Sequence, residues 1–256
     1  MSREWFFVSG KIVDLSNIPL VFPDFHPDSG EYILFMNPTQ CDAEIKITFY
    51  FEDCDPVFDF TSLKAERVAQ HPLHVKSKKV LPWNVRYGCK VESSQPIICQ
   101  WTHGQWKPND DVTEAMASTI MYAGPLGAKE TRWAYADGIR CYREDHLLEE
   151  SEWVCILNPG DSPAHITLKA FHSVDKEPSE WEEVVDAQRI KWIKLEDQPW
   201  VVPYELYGLM LDSDQPIIVE ELRHAYERGS YITPRSMFDT IAYPGFGIDT
   251  GEKSHE

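Results

Sequence analysis

Apolar and polar residues alternate along several stretches of this chain. In AEIKITFYFED, residues 43–53, an apolar side chain stands at every second position from Ala43 to Phe51, and AHITLKAFHS, residues 164–173, repeats the alternation. A period of two is the pattern of a β-strand with one buried face. Four further stretches are typical of strands: EYILFMNP at 31–38, EWVCILNP at 152–159, RIKWIKL at 189–195 and QPIIVEEL at 215–222. The first two end in Asn-Pro, which predicts a turn directly after the strand.

Helix signals are confined to two short stretches. TPRSMFDT places Thr233 at an N-cap position before Pro234, and DDVTEAMAST places Asp111 three residues before Glu114, the spacing of a capping box. Each stretch predicts one or two helical turns just before a last strand, TIMYA or TIAYP. The six or seven short strands ahead of them predict an all-β, antiparallel β-sandwich.

The same sequence pattern occurs twice along the chain. EYILFMNP aligns with EWVCILNP, and SSQPIICQ at 93–100 aligns with SDQPIIVE at 213–220, at a nearly constant offset of about 120 residues. A chain of 256 residues has room for two domains of this size. The sequence therefore predicts two tandem β-sandwich repeats at 1–126 and 131–248, joined around GPLGAKET and followed by a polar tail at 249–256.

The composition of the chain limits the classes of binding partner that are expected. The net charge is −18, from 42 acidic and 24 basic residues, so the field of the protein repels a phosphate backbone and nucleic acid is not an expected partner. The chain has no apolar run of the length that crosses a membrane and no signal-peptide pattern at its start. The six cysteines show no C-x-x-C pair, which favours reduced, structural thiols and a cytoplasmic location.

Motifs for cofactors, metals and common catalytic chemistry are not found in the sequence. It lacks the phosphate-binding, dinucleotide-binding, G-x-S-x-G and H-E-x-x-H patterns, so we expect no cofactor and no metal site. His71 and His74, in QHPLHV, are interpreted as loop residues because Pro72 excludes a helix interior there.

Ordered strings in both halves resemble one family. They are FFVSGKI and AYADGIR, EYILFMNP and EWVCILNP, IKITFYFEDCDP, KAERV and DAQRI, SSQPIICQWTH and SDQPIIVEELRH, and ASTIMYA and FDTIAYP. Together they are similar to the family named for the Anabaena sensory rhodopsin transducer. The resemblance implies a compact β-sandwich that forms homo-oligomers and binds a small molecule such as a sugar or a related polar compound.

The two halves depart from the family pattern at one place. Where the family carries QHTR, the first half has QWTH at 100–103 and the second has EELR at 220–223. These residues follow the repeated QPII string, at the end of a predicted strand. Residues that leave a strand and enter a loop often carry function, whereas the strands themselves maintain the packing of the core. This divergence therefore indicates where ligand-binding residues are expected, and we call these residues the exit of each repeat.

Two pairs of charged residues occupy matching positions and are candidate ligand-binding residues. Glu31 and Glu152 stand just before an apolar strand, where a carboxylate accepts hydrogen bonds from ligand hydroxyls or is simply solvated. Arg67 and Arg189 each open a strand, where a guanidinium holds a ligand carboxylate or hydroxyl pair, or else forms a structural ion pair.

The exit of the first repeat, WTHGQW, contributes Trp101, Thr102, His103 and Trp106 as candidate ligand-binding residues. Flat indole faces stack on the apolar C–H face of a sugar ring while planar polar groups bind its hydroxyls. The alternative interpretation is that one of the tryptophans closes the core of the domain.

The exit of the second repeat, EELRHAYER, contributes Glu220, Arg223 and His224 as candidate ligand-binding residues. Glu221, His224 and Tyr226 are the candidate catalytic residues if the protein is an enzyme, since a carboxylate near a histidine can serve in acid–base catalysis. Along a strand Glu220 and Glu221 point to opposite faces, so one of them points inward and needs a partner.

The interpretation favoured by the sequence is a non-enzymatic protein that binds a polar small molecule, with a carbohydrate as the favoured class. Two alternatives stay open: a carbohydrate-active hydrolase or lyase that uses the second exit, and a signalling adaptor whose exposed tryptophans form a flat protein-binding patch. The fused pair of repeats is also expected to bury a face between its domains and to associate further.

Overall fold

The structure is a computed structural model that describes most of the strand framework. The described residues are 2–11, 31–73, 77, 79–82, 85–108, 113–120, 130–140, 148–173, 175–227, 238–241 and 243–244. Side chains are described for these residues except at 2, 102–108, 113–120, 137, 148–151, 223–227, 238–241 and 243–244.

The chain forms two tandem, nearly all-β domains, which we call the first and second repeat. The first contains strands β1 (Ser2–Lys11), β2 (Tyr32–Asn37), β3 (Ala43–Tyr50), β4 (Val57–Leu63), β5 (Arg67–Pro72), β6 (Arg86–Pro108) and β7 (Thr113–Ile120). The second contains β8 (Glu130–Ile139), β9 (Leu148–Asn158), β10 (Ala164–His172), β11 (Ser179–Val185), β12 (Arg189–Lys194), a 3-10 helix (Leu195–Asp197), β13 (Leu206–Glu227), β14 (Phe238–Ile241) and β15 (Tyr243–Pro244). The predicted all-β fold in tandem domains is confirmed.

One long strand in each repeat belongs to two sheets. The first part of β6 pairs with β1 and β3, and its second part pairs with β2 and β7. In the second repeat, β13 pairs with β8 and β10 and then with β9 and β14. The outer strands follow the same order in both repeats. In the first repeat β4 pairs with β3 and β5 pairs with β2. In the second repeat β11 pairs with β10 and β12 pairs with β9. All pairings are antiparallel, so each repeat is two curled sheets that share a strand.

The repeated SSQP and SDQP strings form the corner where the long strand changes sheets. β6 pairs with β3 up to Ser93 and with β2 from Ile98, and β13 pairs with β10 up to Ser213 and with β9 from Ile218. Proline has no N–H to give to a ladder, which suits a point where the pairing partner changes. In each repeat the corner's first serine hydroxyl accepts a hydrogen bond of 3.3 Å from the backbone N–H two residues later.

The predicted alternation along the strands is confirmed by burial. In β3, Ala43, Ile45, Ile47 and Phe49 are all buried in the first core, and the apolar positions of β10 line the second core in the same way. Each repeat therefore has its own hydrophobic core between its two sheets.

The helix predicted before the last strand is not confirmed. In the first repeat Thr113–Ile120 is strand β7, paired along its length with Trp101–Pro108 of β6. A capping-box spacing is a weak local preference, and tertiary strand pairing overrides it. In the second repeat, the end of the stretch TPRSMFDT belongs to strand β14, and residues 233–237 lie outside the described residues. The strands are also not uniformly short, because β6 and β13 run through both sheets.

Candidate functional site

Glu31 and Glu152 are buried carboxylates with matching hydrogen-bond partners. Glu31 Oε1 accepts a hydrogen bond of 2.8 Å from the backbone N–H of Lys11, and its Oε2 accepts one from the Tyr87 hydroxyl. Glu152 Oε1 accepts a bond of 3.1 Å from the N–H of Ile139, and its Oε2 accepts one from the Tyr207 hydroxyl. The two glutamates are only 0% and 2% exposed, so the interpretation of a solvated strand-end acid is wrong.

The hydroxyl of each tyrosine donates a hydrogen bond to the glutamate of its repeat. Tyr87 is buried, and burial together with the neighbouring Glu31 charge raises the pKa of its phenol well above the ordinary value. The ring lies against the backbone of Gly10, where a Cβ atom would stand 2.3 Å from Tyr87 Cζ. Gly138 has the same relation to Tyr207, with a Cβ standing 2.2 Å from Cε2. The glycine of the FFVSGKI and AYADGIR strings is therefore needed for the tyrosine to reach the glutamate.

A second matched feature is a buried asparagine at the end of β2 and β9. The Asn37 amide donates to three backbone carbonyls, at 2.8 Å to Cys41 and at 3.2–3.3 Å to residues 63 and 64. Asn158 donates in the same way to residues 162, 185 and 186, at 2.8–3.1 Å. The predicted Asn-Pro turn thus carries a side chain that fixes the loops around it, a role that the sequence did not reveal.

Arg67 and Arg189 open β5 and β12, and each donates through Nη1 to the carbonyl of the residue before it. Arg189 Nη2 also lies 2.7 Å from Asp55 Oδ1, a carboxylate of the first repeat. For Arg189 the arrangement is the structural ion pair that was one of the two alternatives. Arg67 is exposed to solvent.

Trp101 is fully buried in the first core and packs against Phe7, with ring centroids 6.2 Å apart. It matches the interpretation in which one tryptophan closes the core. The backbones of Thr102, His103 and Trp106 continue along β6 opposite β7, while their side chains lie outside the described set. The structure therefore does not place the predicted first exit as one cluster.

Glu220 and Glu221 are both buried, at 2% and 3% exposure. Glu220 Oε2 accepts hydrogen bonds from three donors of β1: Val8 N at 2.8 Å, and Ser9 N and Oγ at 2.9 Å. Glu220 thus ties the second repeat to the first. The side chains of the other second-exit candidates, Arg223, His224 and Tyr226, lie outside the described set, and their backbones form part of β13.

The face between the repeats is apolar and continuous. Phe6, Val8 and Tyr50 of the first repeat share a core cluster with residues of β9, β12 and β13 of the second: Cys155, Leu157, Ile190, Trp192, Ile218 and Leu222. Hydrogen bonds cross it from Trp192 Nε1 to the Val8 carbonyl and from Ile190 N to the Phe51 carbonyl, both 3.2 Å long. β1 is consequently buried on both faces, which explains its unbroken apolar run at 5–8.

His71 is buried at 3% exposure in β5, so the loop interpretation is wrong for this residue. Its Nε2 lies 3.1 Å from Ser77 Oγ, and that hydroxyl donates to Asp59 Oδ2 at 2.6 Å. Ser77 is fully buried, and the three side chains link β4 and β5 to the segment that follows them. No sequence motif signals this cluster, since its members are separated along the chain. His74 lies outside the described residues.

The described cysteines are free thiols: Cys41 and Cys54 are exposed, and Cys89, Cys99 and Cys155 are buried. Burial raises the pKa of the Cys89 and Cys99 thiols well above the ordinary value, so these two stay protonated. In the part of the chain that the structure describes, no three histidine, cysteine or carboxylate side chains cluster as metal ligands. Across the same residues, no helix has the length and apolar character that a membrane span requires.

The matched features of the two repeats agree with a comparison against protein families. The family model described as Anabaena sensory rhodopsin transducer matches residues 2–123 and matches again at 128–244. The chain belongs to the Anabaena sensory rhodopsin transducer family. The family model thus covers two successive units, as the duplicated pattern predicts.

Two solved structures of single units are similar to this family member. The crystal structure of Thermotoga maritima 1070 is 24% identical, with a TM-score of 0.37, over 46% of this chain and 91% of that one. The Anabaena sensory rhodopsin transducer is 23% identical, with a TM-score of 0.35, over 40% of this chain and 86% of that one. No curated protein matches the chain.

Proposed function

We propose that this family member is a non-enzymatic binding protein for a polar small molecule, with carbohydrate as the favoured class. Binding is assigned to the exits of β6 and β13, where each long strand continues beyond the corner to pair with β7 or β14. Thr102, His103 and Trp106 are the proposed ligand residues of the first repeat, and Arg223 and His224 those of the second.

The observation that carries the proposal is a change of side chains at equivalent backbone positions. Trp101 pairs with Ile33 of β2, and Glu221 pairs with Val154 of β9, so the two long strands have the same register at this point. The framework around them is matched in both repeats, down to its buried glutamate and asparagine. The packing residues are preserved in both repeats, whereas the residues at the exits differ. We favour specialisation of the exits for ligand binding as the physical reason for this difference.

The buried carboxylates favour binding over catalysis. Glu31, Glu152 and Glu220 each accept two or more hydrogen bonds from protein donors, which leaves them poorly placed to exchange protons with a substrate. The proposal therefore assigns these three glutamates, with Trp101 and Arg189, to the framework and keeps the ligand contacts at the exits.

A thermal-shift screen against sugars, sugar acids and polyols tests the proposal. We expect at least one class to raise the melting temperature, because a ligand that binds only the folded state stabilises it. Trp106→Ala and Arg223→Ala test the two exits separately, and the exposed Phe60 of β4 provides a control, Phe60→Ala. If no compound in a broad panel shifts the wild-type melting temperature, the proposed function is wrong.

A turnover assay separates binding from catalysis. Wild-type protein and His224→Ala are incubated with glycosides and uronic-acid oligosaccharides, and products are measured by chromatography. We expect no product from either protein. Product formed by the wild type and lost in the variant would establish the enzyme alternative instead.

A further inference from the structure

Two positive charges lie beside two tryptophans where the first repeat meets the second. Lys11, the last residue of β1, stands directly opposite Arg86, the first residue of β6. The guanidinium of Arg86 reaches the second repeat, where its Cζ lies 4.3 Å from the ring centroid of Trp153 and 4.9 Å from that of Trp192. We call these four residues the junction cluster.

Lys11 and Arg86 are like charges at a cross-strand pair of positions, an arrangement that destabilises a sheet. Both residues are half-buried, so water screens their repulsion only in part. Burial and the neighbouring Arg86 charge both lower the pKa of the Lys11 amine from its ordinary value. The pair therefore carries an electrostatic cost that an anion at the same place would remove.

The carboxylates bound to the neighbouring backbone are engaged elsewhere. Glu31 accepts its hydrogen bonds from the backbone N–H of Lys11 and from the Tyr87 hydroxyl. Glu196 lies 2.7 Å from Lys194 Nζ and also accepts a bond from the backbone N–H of residue 152. Among the described residues, no carboxylate forms an ion pair with the Lys11 amine or the Arg86 guanidinium.

The contact with the indole rings leaves hydrogen-bonding capacity on Arg86. A guanidinium lies against an aromatic ring with its face, whereas its five N–H donors point outward in its own plane. No hydrogen bond from the Arg86 side chain to another described residue is formed. A carboxylate at the edge of the guanidinium can accept two parallel bonds, and the amine of Lys11 on the neighbouring strand supplies a further donor.

The second repeat has neither charge at the matching positions. There Leu206 stands opposite Ile139, in the register that Arg86 and Lys11 have in the first repeat. Two cations are consequently not a requirement of the fold of one unit. They are found in the repeat whose strand ends lie beside the tryptophans of its partner, which favours a role at this junction.

The charge of the whole protein selects among possible anions. The net charge is −18, so the long-range field opposes every anion and opposes a doubly charged one more strongly. A monocarboxylate brings one negative charge and two acceptor oxygens, which match a guanidinium edge and an ammonium group. A phosphate dianion offers the same acceptors at a higher electrostatic cost.

We propose that the junction cluster binds a small organic monocarboxylate, whose oxygens accept hydrogen bonds from the Arg86 guanidinium and the Lys11 amine. The bound carboxylate relieves the repulsion between the two cations. Because the cluster contains residues of both repeats, its ligand also strengthens the contact between them. The site is separate from the strand exits, so this proposal does not depend on the proposed function.

Thermal unfolding of the full chain tests the proposal with charged and neutral probes of similar shape. Sodium glucuronate is compared with glucose, and sodium benzoate with benzyl alcohol, with sodium chloride added to equal ionic strength. We expect at least one carboxylate to raise the Tm by about 3–5 °C when present at roughly ten times its Kd, whereas its neutral counterpart does not. Equal shifts from the charged and neutral members of both pairs, or no shift from either carboxylate, would overturn the proposal.

Two variants test the residues of the cluster. Lys11→Met removes the charge, retains most of the side-chain length and keeps the backbone N–H that binds Glu31. Arg86→Gln removes the guanidinium. Each should lose most of the carboxylate response. Lys169→Met is the matched control, because Lys169 Nζ lies 5.7 Å from the ring of Phe171 and far along the chain from the cluster. Its response should equal that of the wild type.

The variants also separate binding from a purely structural role. Without carboxylate, Lys11→Met should melt at least as high as the wild type because the like-charge pair is gone, so its lost response would not reflect misfolding. A response that persists in Lys11→Met, or that the control variant loses equally, would contradict the site. Sodium phosphate at equal ionic strength should give a smaller shift, and an equal one would refute the carboxylate class. A neutral sugar that still stabilises Lys11→Met reports on the strand exits instead, which keeps the outcomes of the two proposals apart.

Discussion

The buried glutamate and tyrosine of each repeat form a hydrogen-bonded pair whose contribution to stability can be measured. Tyr87→Phe removes only the hydroxyl that donates to Glu31 Oε2. The ring stays, so no large cavity forms against Gly10. The bond from Lys11 N to the other carboxylate oxygen also stays. The variant therefore removes the hydrogen bond to the buried acid together with the contact between the hydroxyl and the Trp101 side chain.

The expected cost follows from the burial of both partners. Glu31 is 0% and Tyr87 1% exposed, so water does not replace the lost donor readily. A hydrogen bond to a charged group contributes roughly 1.5–3 kcal/mol, and an acceptor left unsatisfied costs a similar amount. We expect Tyr87→Phe to lower the free energy of unfolding by about 2 kcal/mol. Tyr207→Phe should cost the same, because Glu152 has the same pair of donors.

Urea unfolding followed by tryptophan fluorescence measures the loss. Tyr204→Phe is the matched control, since Tyr204 is 60% exposed and its variant should change stability by less than about 0.5 kcal/mol. A change within that limit for Tyr87→Phe would refute the conclusion that the pair is part of the framework. A large loss in one repeat beside a negligible loss in the other would refute the equivalence of the two pairs.

Two further predictions concern the contact between the repeats. Glu220→Ala leaves two backbone N–H groups and the Ser9 hydroxyl of β1 without their buried acceptor. We therefore expect the free energy of unfolding, measured in urea, to fall by about 3–5 kcal/mol. A loss below about 1 kcal/mol would contradict the role given to this carboxylate. Burial raises the pKa of Tyr50 from 10.0 to about 12, so the folded state keeps the phenol neutral longer than the unfolded state does. This contribution to stability is fully present below pH 10 and is lost as the pH rises toward about 12. Melting temperatures measured across that range should fall less steeply for Tyr50→Phe than for the wild type, and equal slopes would count against the assignment.

The sequence by itself determined the features that depend on local pattern. Alternation along β3 and β10 predicted their buried positions, because the side chains of a strand point to opposite faces in turn. The repeated strings predicted two copies of one all-β unit, and the Asn-Pro steps predicted the turns after β2 and β9. Each of these conclusions uses only the order of residue types along the chain, without knowledge of which distant residues are in contact.

Only the tertiary structure decided how distant residues meet. Glu31 and Tyr87 are 56 positions apart, and Glu220 lies 211 positions from Ser9, so neither hydrogen bond leaves a signal in the local pattern. The same reason explains why residues that were predicted to form a helix form β7 instead. Their pairing with β6 outweighs the local preference of the residues themselves. A carboxylate that precedes a strand can be exposed to solvent, contact a ligand or be buried in the core. The hydrogen-bond donors that surround it in the fold decide among these alternatives. Here the fold surrounds Glu31, Glu152 and Glu220 with donors that lie far from them along the chain, which no local pattern indicates.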